Sequence, residues 1–284
     1  MKYLLKIVLI VIIYTNYSCT NIVSHNGKLS ANRRTVKGCT NPTIVDSDIS
    51  YNTDSLLNNF KKIGDNDYCT VKNNCNKVRD ELLHAYKDAY NDSVRSDVLS
   101  KVGVFIENTL VDQIFPFWYG SPWDFNGYSN IPGKGKIACG YFVSTTLEHI
   151  GFNIDRYKLA QQNPRNEALT LSINWDVQRF SNISPSELKS FMIRNNEPEG
   201  LYFAGLDSHV GYILFREKEL FFIHANYLRE EGVIIEIAEN SEAFNSSVYY
   251  ISEITSNDEL IKKWISREVI DILTWRSYIL RHSR

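Results

Sequence analysis

Between residues 200 and 252 the apolar pattern of the chain changes from a helical period to a β period. Four short runs follow one another with tight connections: GLYFAG (200–205), HVGYILF (209–215), ELFFIHA (219–225) and GVIIEI (232–237). SSVYYIS (246–252) reads as one more. Runs of this length and β-branched or aromatic content, joined so closely, predict an antiparallel meander. Helical periodicity precedes and follows it, so the predicted fold class is α+β.

Upstream, residues 137–152 read IACGYFVSTTLEHIGF. Phe142, Val143, Leu147 and Ile150 form one helical stripe, and Gly151 ends it as a C′ glycine would. Cys139 therefore sits at, or one residue before, the N-terminus of a helix. Unpaired N–H groups and the positive dipole end favour a thiolate there, and a thiolate is the nucleophile.

A thiol nucleophile needs a base and a group that orients the base. Two histidines lie in the meander. His209, Gly211, Ile213 and Phe215 share one strand face, and Leu220, Phe222, His224 and Asn226 share another. A hairpin turning on Arg216-Glu217 puts His209 opposite His224. A four-residue loop, 216–219, puts Asn226 opposite His209 with His224 diagonal. A three-residue loop would throw the histidines to opposite faces.

Between these elements and the N-terminus, Val78, Leu82, Leu83, Tyr86, Ala89, Tyr90 and Val94 predict a helix from Asn76 to Leu99. A second runs from about Val102 to Ile114 and stops at Phe115-Pro116. Residues 115–136, FPFWYGSPWDFNGYSNIPGKGK, form an aromatic loop broken by Pro and Gly. Trp118, Tyr119, Trp123 and Asp124 are its candidate substrate-binding residues, with Asn226 from the meander. Ser184, Pro185 and Glu187 mark a helix start, and Ser256 with Glu259 opens an amphipathic helix to about Leu280.

Lys2 and Lys6 flank an apolar run, Leu4 to Ile13, too short to span a bilayer and shaped like a signal peptide. Ser18-Cys19 resembles a bacterial lipobox, which makes Cys19 the lipidated residue of an exported, membrane-anchored protein. Residues 1–18 are then the signal peptide, 19–55 a polar tether, 56–114 an N-terminal helical segment, 115–255 the catalytic domain and 256–284 a C-terminal helix on that domain. Cys69 and Cys75 could pair in an oxidising compartment, leaving Cys39 over. No CxxC or paired-His spacing suggests a metal, and a formal net charge of −2 gives no electrostatic case for nucleic acid.

The order of these motifs resembles the NlpC-type cell-wall endopeptidases, a papain-like family of cysteine hydrolases. The resemblance covers roughly 115–255 and rests on Tyr119-Gly120, CGYFV at 139–143, HVGYIL at 209–214, FIHAN at 222–226 and GVII at 232–235. It implies Cys139 as nucleophile, His209 as base, His224 as orienter and Tyr119 beside the thiol. It further implies a papain-like fold with extra terminal helices, no cofactor, and hydrolysis of amide bonds in peptidoglycan stem peptides. The family usually has Asp before the Cys and Ser after it, where this chain has Ala138 and Gly140. The same core would serve a related amidase, deamidase or transferase, or a non-catalytic binding lipoprotein.

Overall fold

Capping groups divide the N-terminal half into separate helices. In the computed structural model, which describes residues 67–174 and 177–274 together with Leu57 and Phe60, α1 (Tyr68–Lys87) starts where the Asp67 carboxylate accepts the Thr70 N–H at 3.0 Å. α2 (Asp92–Asn108) starts where Asn91 accepts the Val94 N–H at 2.8 Å. The single helix expected from Asn76 to Leu99 is thus two, because the Asn91 side chain offers the backbone a competing start. The expected stop at Phe115-Pro116 is also absent. α2 runs into a π-helical turn (Thr109–Ile114) and then α3 (Phe115–Trp118). Pro116 falls in the first turn of α3, where the helix passes from π to α geometry.

α4 (Cys139–His149), α5 (Arg156–Ala160) and α6 (Pro164–Ser172) follow the aromatic loop. α7 (Pro185–Arg194) has the expected capping box, Ser184 and Glu187 bonding reciprocally. The last described helix, α8 (Asp258–Ser266), is shorter than expected and is capped by Asn257 instead of Ser256. Arg267 turns left-handed at φ 59°, and the Glu268 N–H closes on the Lys263 carbonyl at 2.9 Å, which ends the helix. Residues 275–284, and with them Trp275, lie outside the described residues, as do Cys19, Cys39, the signal peptide and the whole of the tether. Cys69 and Cys75 are free thiols on α1, one exposed and one buried, so the pairing considered above does not form.

Six strands make one antiparallel sheet in the order β1-β6-β2-β3-β4-β5. β2 (Gly200–Gly205), β3 (Val210–Arg216), β4 (Glu219–Ala225) and β5 (Val233–Ile237) are the expected meander. β6 (Val248–Glu253) does not extend it but returns to pair with β2, and β1 (Gln178–Ser181), which the sequence pattern did not reveal, pairs with β6. The β3–β4 turn is Glu217-Lys218, both left-handed at φ 54° and 60°. That is the type I′ geometry usually carried by Asn-Gly, so its position was not visible in the residues.

Both sheet faces are covered. Leu201, Phe203, Tyr212, Leu214, Phe221 and Ile223 share a core with α1 to α4, so the N-terminal helices belong to the body of the fold. Phe60 reaches β4, its ring 5.3 Å from that of Phe221. The opposite face, with Ile213, Phe215, Phe222 and Tyr249, packs under α7. Gly103 lets α2 approach the chain after β6: a Cβ there would lie 2.0 Å from the Thr255 carbonyl oxygen. Gly103→Ala is expected to destabilise the fold by about 1–3 kcal/mol, read as a lower urea midpoint at unchanged slope.

Candidate functional site

The aromatic loop is tied at both ends to the elements that carry the site. Gly120 donates to the Val233 carbonyl and Val233 to that of Ser121, each at 2.9 Å, alongside β5. Ile137 donates to Pro122 at 2.9 Å and Ala138 to Gly127 at 2.8 Å, just before the cysteine. Cys139 then opens α4. Its N-cap, Ala138, offers no side-chain acceptor, so the first-turn N–H groups are left without a side-chain cap. The backbone N–H groups of Val210, Gly140 and Cys139 itself lie near the sulfur and favour its thiolate form. The Val210 contact brings the sulfur to the N-terminal end of β3, one residue from His209.

The register of β3 and β4 is that of the second alternative: Tyr212 faces Ile223 and Phe215 faces Leu220, so Asn226 continues opposite His209. His224 is diagonal to His209 and close enough to bond it, Nε2 to Nδ1 at 2.8 Å. The remaining nitrogen of His224, Nε2, lies 3.0 Å from Glu236 Oε1 on β5. Glu236 also accepts the Ser241 hydroxyl at 2.5 Å. Burial pushes the Glu236 carboxyl up, but the bonds from His224 and Ser241 outweigh it and hold the group below the usual range.

An ionised Glu236 sets the protons of the whole row. A carboxylate only accepts, so His224 Nε2 carries its hydrogen and donates. In a neutral ring Nδ1 of His224 is then an acceptor, so His209 donates from Nε2. His209 is thereby left with an unprotonated Nδ1, the atom a general base needs. Burial pushes both imidazoles down, His209 far below its ordinary value, so the neutral forms assumed here prevail. Phe222 stacks on His224 with centroids 4.2 Å apart, and Tyr227 covers His209 at 4.8 Å. Glu236 was missed by sequence reasoning. Its signal was a lone carboxylate in an apolar strand, on the same face as His224.

One expectation reverses. The helix N-terminus was expected to lower the thiol, whereas burial, joined by the Glu167 carboxyl, pushes Cys139 up to about 11. Its backbone hydrogen bonds act the other way and are outweighed. The resting site therefore holds a neutral thiol and a neutral imidazole, not a preformed ion pair.

The loop residues divide. Trp118 is fully buried, its indole N–H donating to the Tyr68 hydroxyl at 2.8 Å, so it is core and not pocket wall. Asp124 is spent inside the loop, accepting the Asn126 N–H at 2.9 Å and pairing with Lys136 at 3.0 Å. A cavity of about 360 Å³ beside it, lined in part by Tyr128, Ser129 and Gly135, contains neither Cys139 nor either histidine. Asn226 shapes the β4–β5 loop by accepting the Leu228 N–H at 2.9 Å. Trp123 remains near the site: it pairs with Ile137, and its ring lies 6.1 Å from that of Tyr227. The Tyr119 hydroxyl and the Trp123 indole N–H are both buried without a hydrogen-bond partner. Among the described residues, no cluster of His, Cys, Asp and Glu is arranged to hold a metal ion.

The far end of α4 repeats the same proton logic. Asn130 Oδ1 accepts from His149 Nε2 at 2.8 Å, so His149 Nδ1 accepts from the Tyr68 hydroxyl at 2.7 Å. Burial, with Lys72 and Arg156 nearby, pushes His149 down to about 3. The folded form thus binds fewer protons than the unfolded chain from the ordinary value of 6.5 downward, and the contribution of His149 is lost as pH falls through that window. Acidification below pH ~6.5 is expected to cost up to about 1.4 kcal/mol per pH unit through this residue. Urea midpoints should fall less steeply with acid in His149→Phe than in wild type.

Comparison of the chain with protein-family models, with curated proteins and with solved structures returned no match.

Proposed function

We propose that the chain is a cysteine hydrolase of papain-like type that cleaves amide bonds, with Cys139 as nucleophile, His209 as base and His224 as orienting group. The observation that carries the reading is the row Glu236–His224–His209, which leaves an unprotonated Nδ1 at the end of β3, near which the sulfur also lies. Because thiol and imidazole rest neutral, proton transfer accompanies attack. The sulfur bonds to the carbonyl carbon as its proton passes to His209 Nδ1, and the uncapped N–H groups of α4 face the developing oxyanion. His209 returns the proton to the leaving amine, and a thioester remains. Water, deprotonated by His209, then releases the acid and restores the thiol.

The proposed substrate is the stem peptide of peptidoglycan, reached by export and by a lipid anchor on Cys19. An amidase, deamidase or transferase on another envelope or protein substrate is the second reading. It is favoured by the first turn of α4, where Gly140 stands in place of the family's usual Ser and Ala160 and Glu167 pack against it. Digestion of purified sacculi followed by mass analysis separates the two. Muropeptides released by wild type and not by Cys139→Ala support the first; release of ammonia or peptides from proteins alone supports the second. A wild type inert on both, yet retained on sacculi, would leave a binding lipoprotein.

A further inference from the structure

The proposed base is shut in. His209 is 2 % exposed, although its unprotonated Nδ1 must reach both the sulfur and the leaving amine. The cavities of about 360 and 260 Å³ lie elsewhere, one beside Asp124 and one between Tyr202 and the first turn of α8, and neither is lined by His209. His224 bonds its Nε2, the Phe222 ring stands edge-on 5.9 Å away, and buried Asn226 continues β4 opposite it. These three belong to the body of the sheet. Tyr227 differs: its ring lies 4.8 Å from that of His209, yet the residue is 39 % exposed.

Tyr227 opens a loop that is pinned only at its ends. Residues 227–231 are all exposed. Before them the Asn226 N–H bonds the Gly232 carbonyl at 2.8 Å. After them Gly232 turns at φ 69°, where a Cβ would run into the Ser121 carbonyl. Between these points Leu228 donates to Asn226 Oδ1 at 2.9 Å, and Arg229 pairs with Glu242 at 4.0 Å with both side chains exposed, an arrangement worth little. Few buried contacts therefore oppose local opening. The Tyr227 ring also meets Trp123, 6.1 Å away, whose indole N–H is buried with no partner. An unpaired buried donor beside a movable ring marks the space that opens as one a polar ligand enters.

We infer that Tyr227 is a lid on the base, its ring swinging off His209 with residues 227–231 to admit the amide substrate. This rests on His209 being the base of the hydrolase proposed above. With the ring down, water is kept from the imidazole; with the ring away, the scissile amide reaches it.

The test uses the full chain and diethylpyrocarbonate, which acylates unprotonated imidazole nitrogen, with peptide mass mapping to separate the histidines. Exposed His84 is the standard, and buried His149 is the control freed by unfolding. In wild type near neutral pH, His209 should react about tenfold or more slower than His84. Tyr227→Ala should raise the His209 rate by about tenfold or more, Tyr227→Ser should match it, and Tyr227→Phe, which keeps the ring, should stay slow. Mild urea separates a lid from a base sealed in the core. Local opening exposes little surface, so below the unfolding transition the wild-type His209 rate should stay flat while that of His149 climbs. A wild-type His209 as fast as His84, no gain in either ringless variant, or a His209 rate that climbs with that of His149 would overturn the lid. No substrate is involved, so a base uncovered by Tyr227→Ala in a protein that hydrolyses nothing would refute the hydrolase and keep the lid. Hydrolysis that depends on Cys139, with no gain in the ringless variants, would do the reverse.

Discussion

Cys139→Ala should lower amide hydrolysis by about 10⁴-fold or more while leaving the fold intact. The sulfur is the atom that forms the covalent bond, and its removal leaves only binding and the N–H groups of α4. Truncation removes a single sulfur atom, so it leaves little cavity. His209→Ala should cost a similar factor, since Cys139 rests as a neutral thiol pushed up to about 11 and cannot ionise unaided near neutral pH. The double variant should be no slower than either single one, because the two residues act as a unit. Single-turnover kinetics on the cleaved substrate, with circular dichroism to certify the fold, measures all three. Loss of activity in His209→Ala much smaller than in Cys139→Ala would mean another group takes the thiol proton.

Glu236→Ala should lower kcat by about 10²–10⁴-fold with little change in KM, although the residue touches neither nucleophile nor substrate. Its carboxylate orders the protons of His224 and, through it, of His209; a comparable loss follows when a base is left in the wrong tautomer. The variant also strands His224 Nε2, whose residue is fully buried, so a stability loss of about 1–3 kcal/mol should accompany it. Glu236→Gln separates the two effects. An amide oxygen can still accept from His224, so stability should largely return. Activity should return only as far as the amide presents its oxygen and not its NH₂. Steady-state kinetics and urea unfolding of the two variants, measured together, test this. Unchanged kcat in Glu236→Ala would remove the residue from the row.

Much of the site was written in local pattern. The helix start at Cys139, the capping box at Ser184 and the four strands from 200 to 237 each follow from spacing and capping within a few residues, and the strand period puts His209 and His224 on one face once the hairpin loop is of even length. The hairpin turn was not legible, because Glu217 and Lys218 take left-handed geometry without the Gly or Asn that announces it. Trp118 looked like a pocket residue because a loop aromatic carries no mark of which way it faces; Tyr68, fifty residues earlier, captures its N–H.

What local pattern could not contain was the environment of each charge. Periodicity and capping are short-range, so residue order alone was enough for the α+β class and the cysteine near a helix start, and it put two histidines on one sheet face only for an even-length hairpin loop. Desolvation and proton direction depend on segments far apart in the chain. Only their packing placed Glu236 behind His224, set Glu167 against Gly140, and turned the expected thiolate at Cys139 into a neutral thiol.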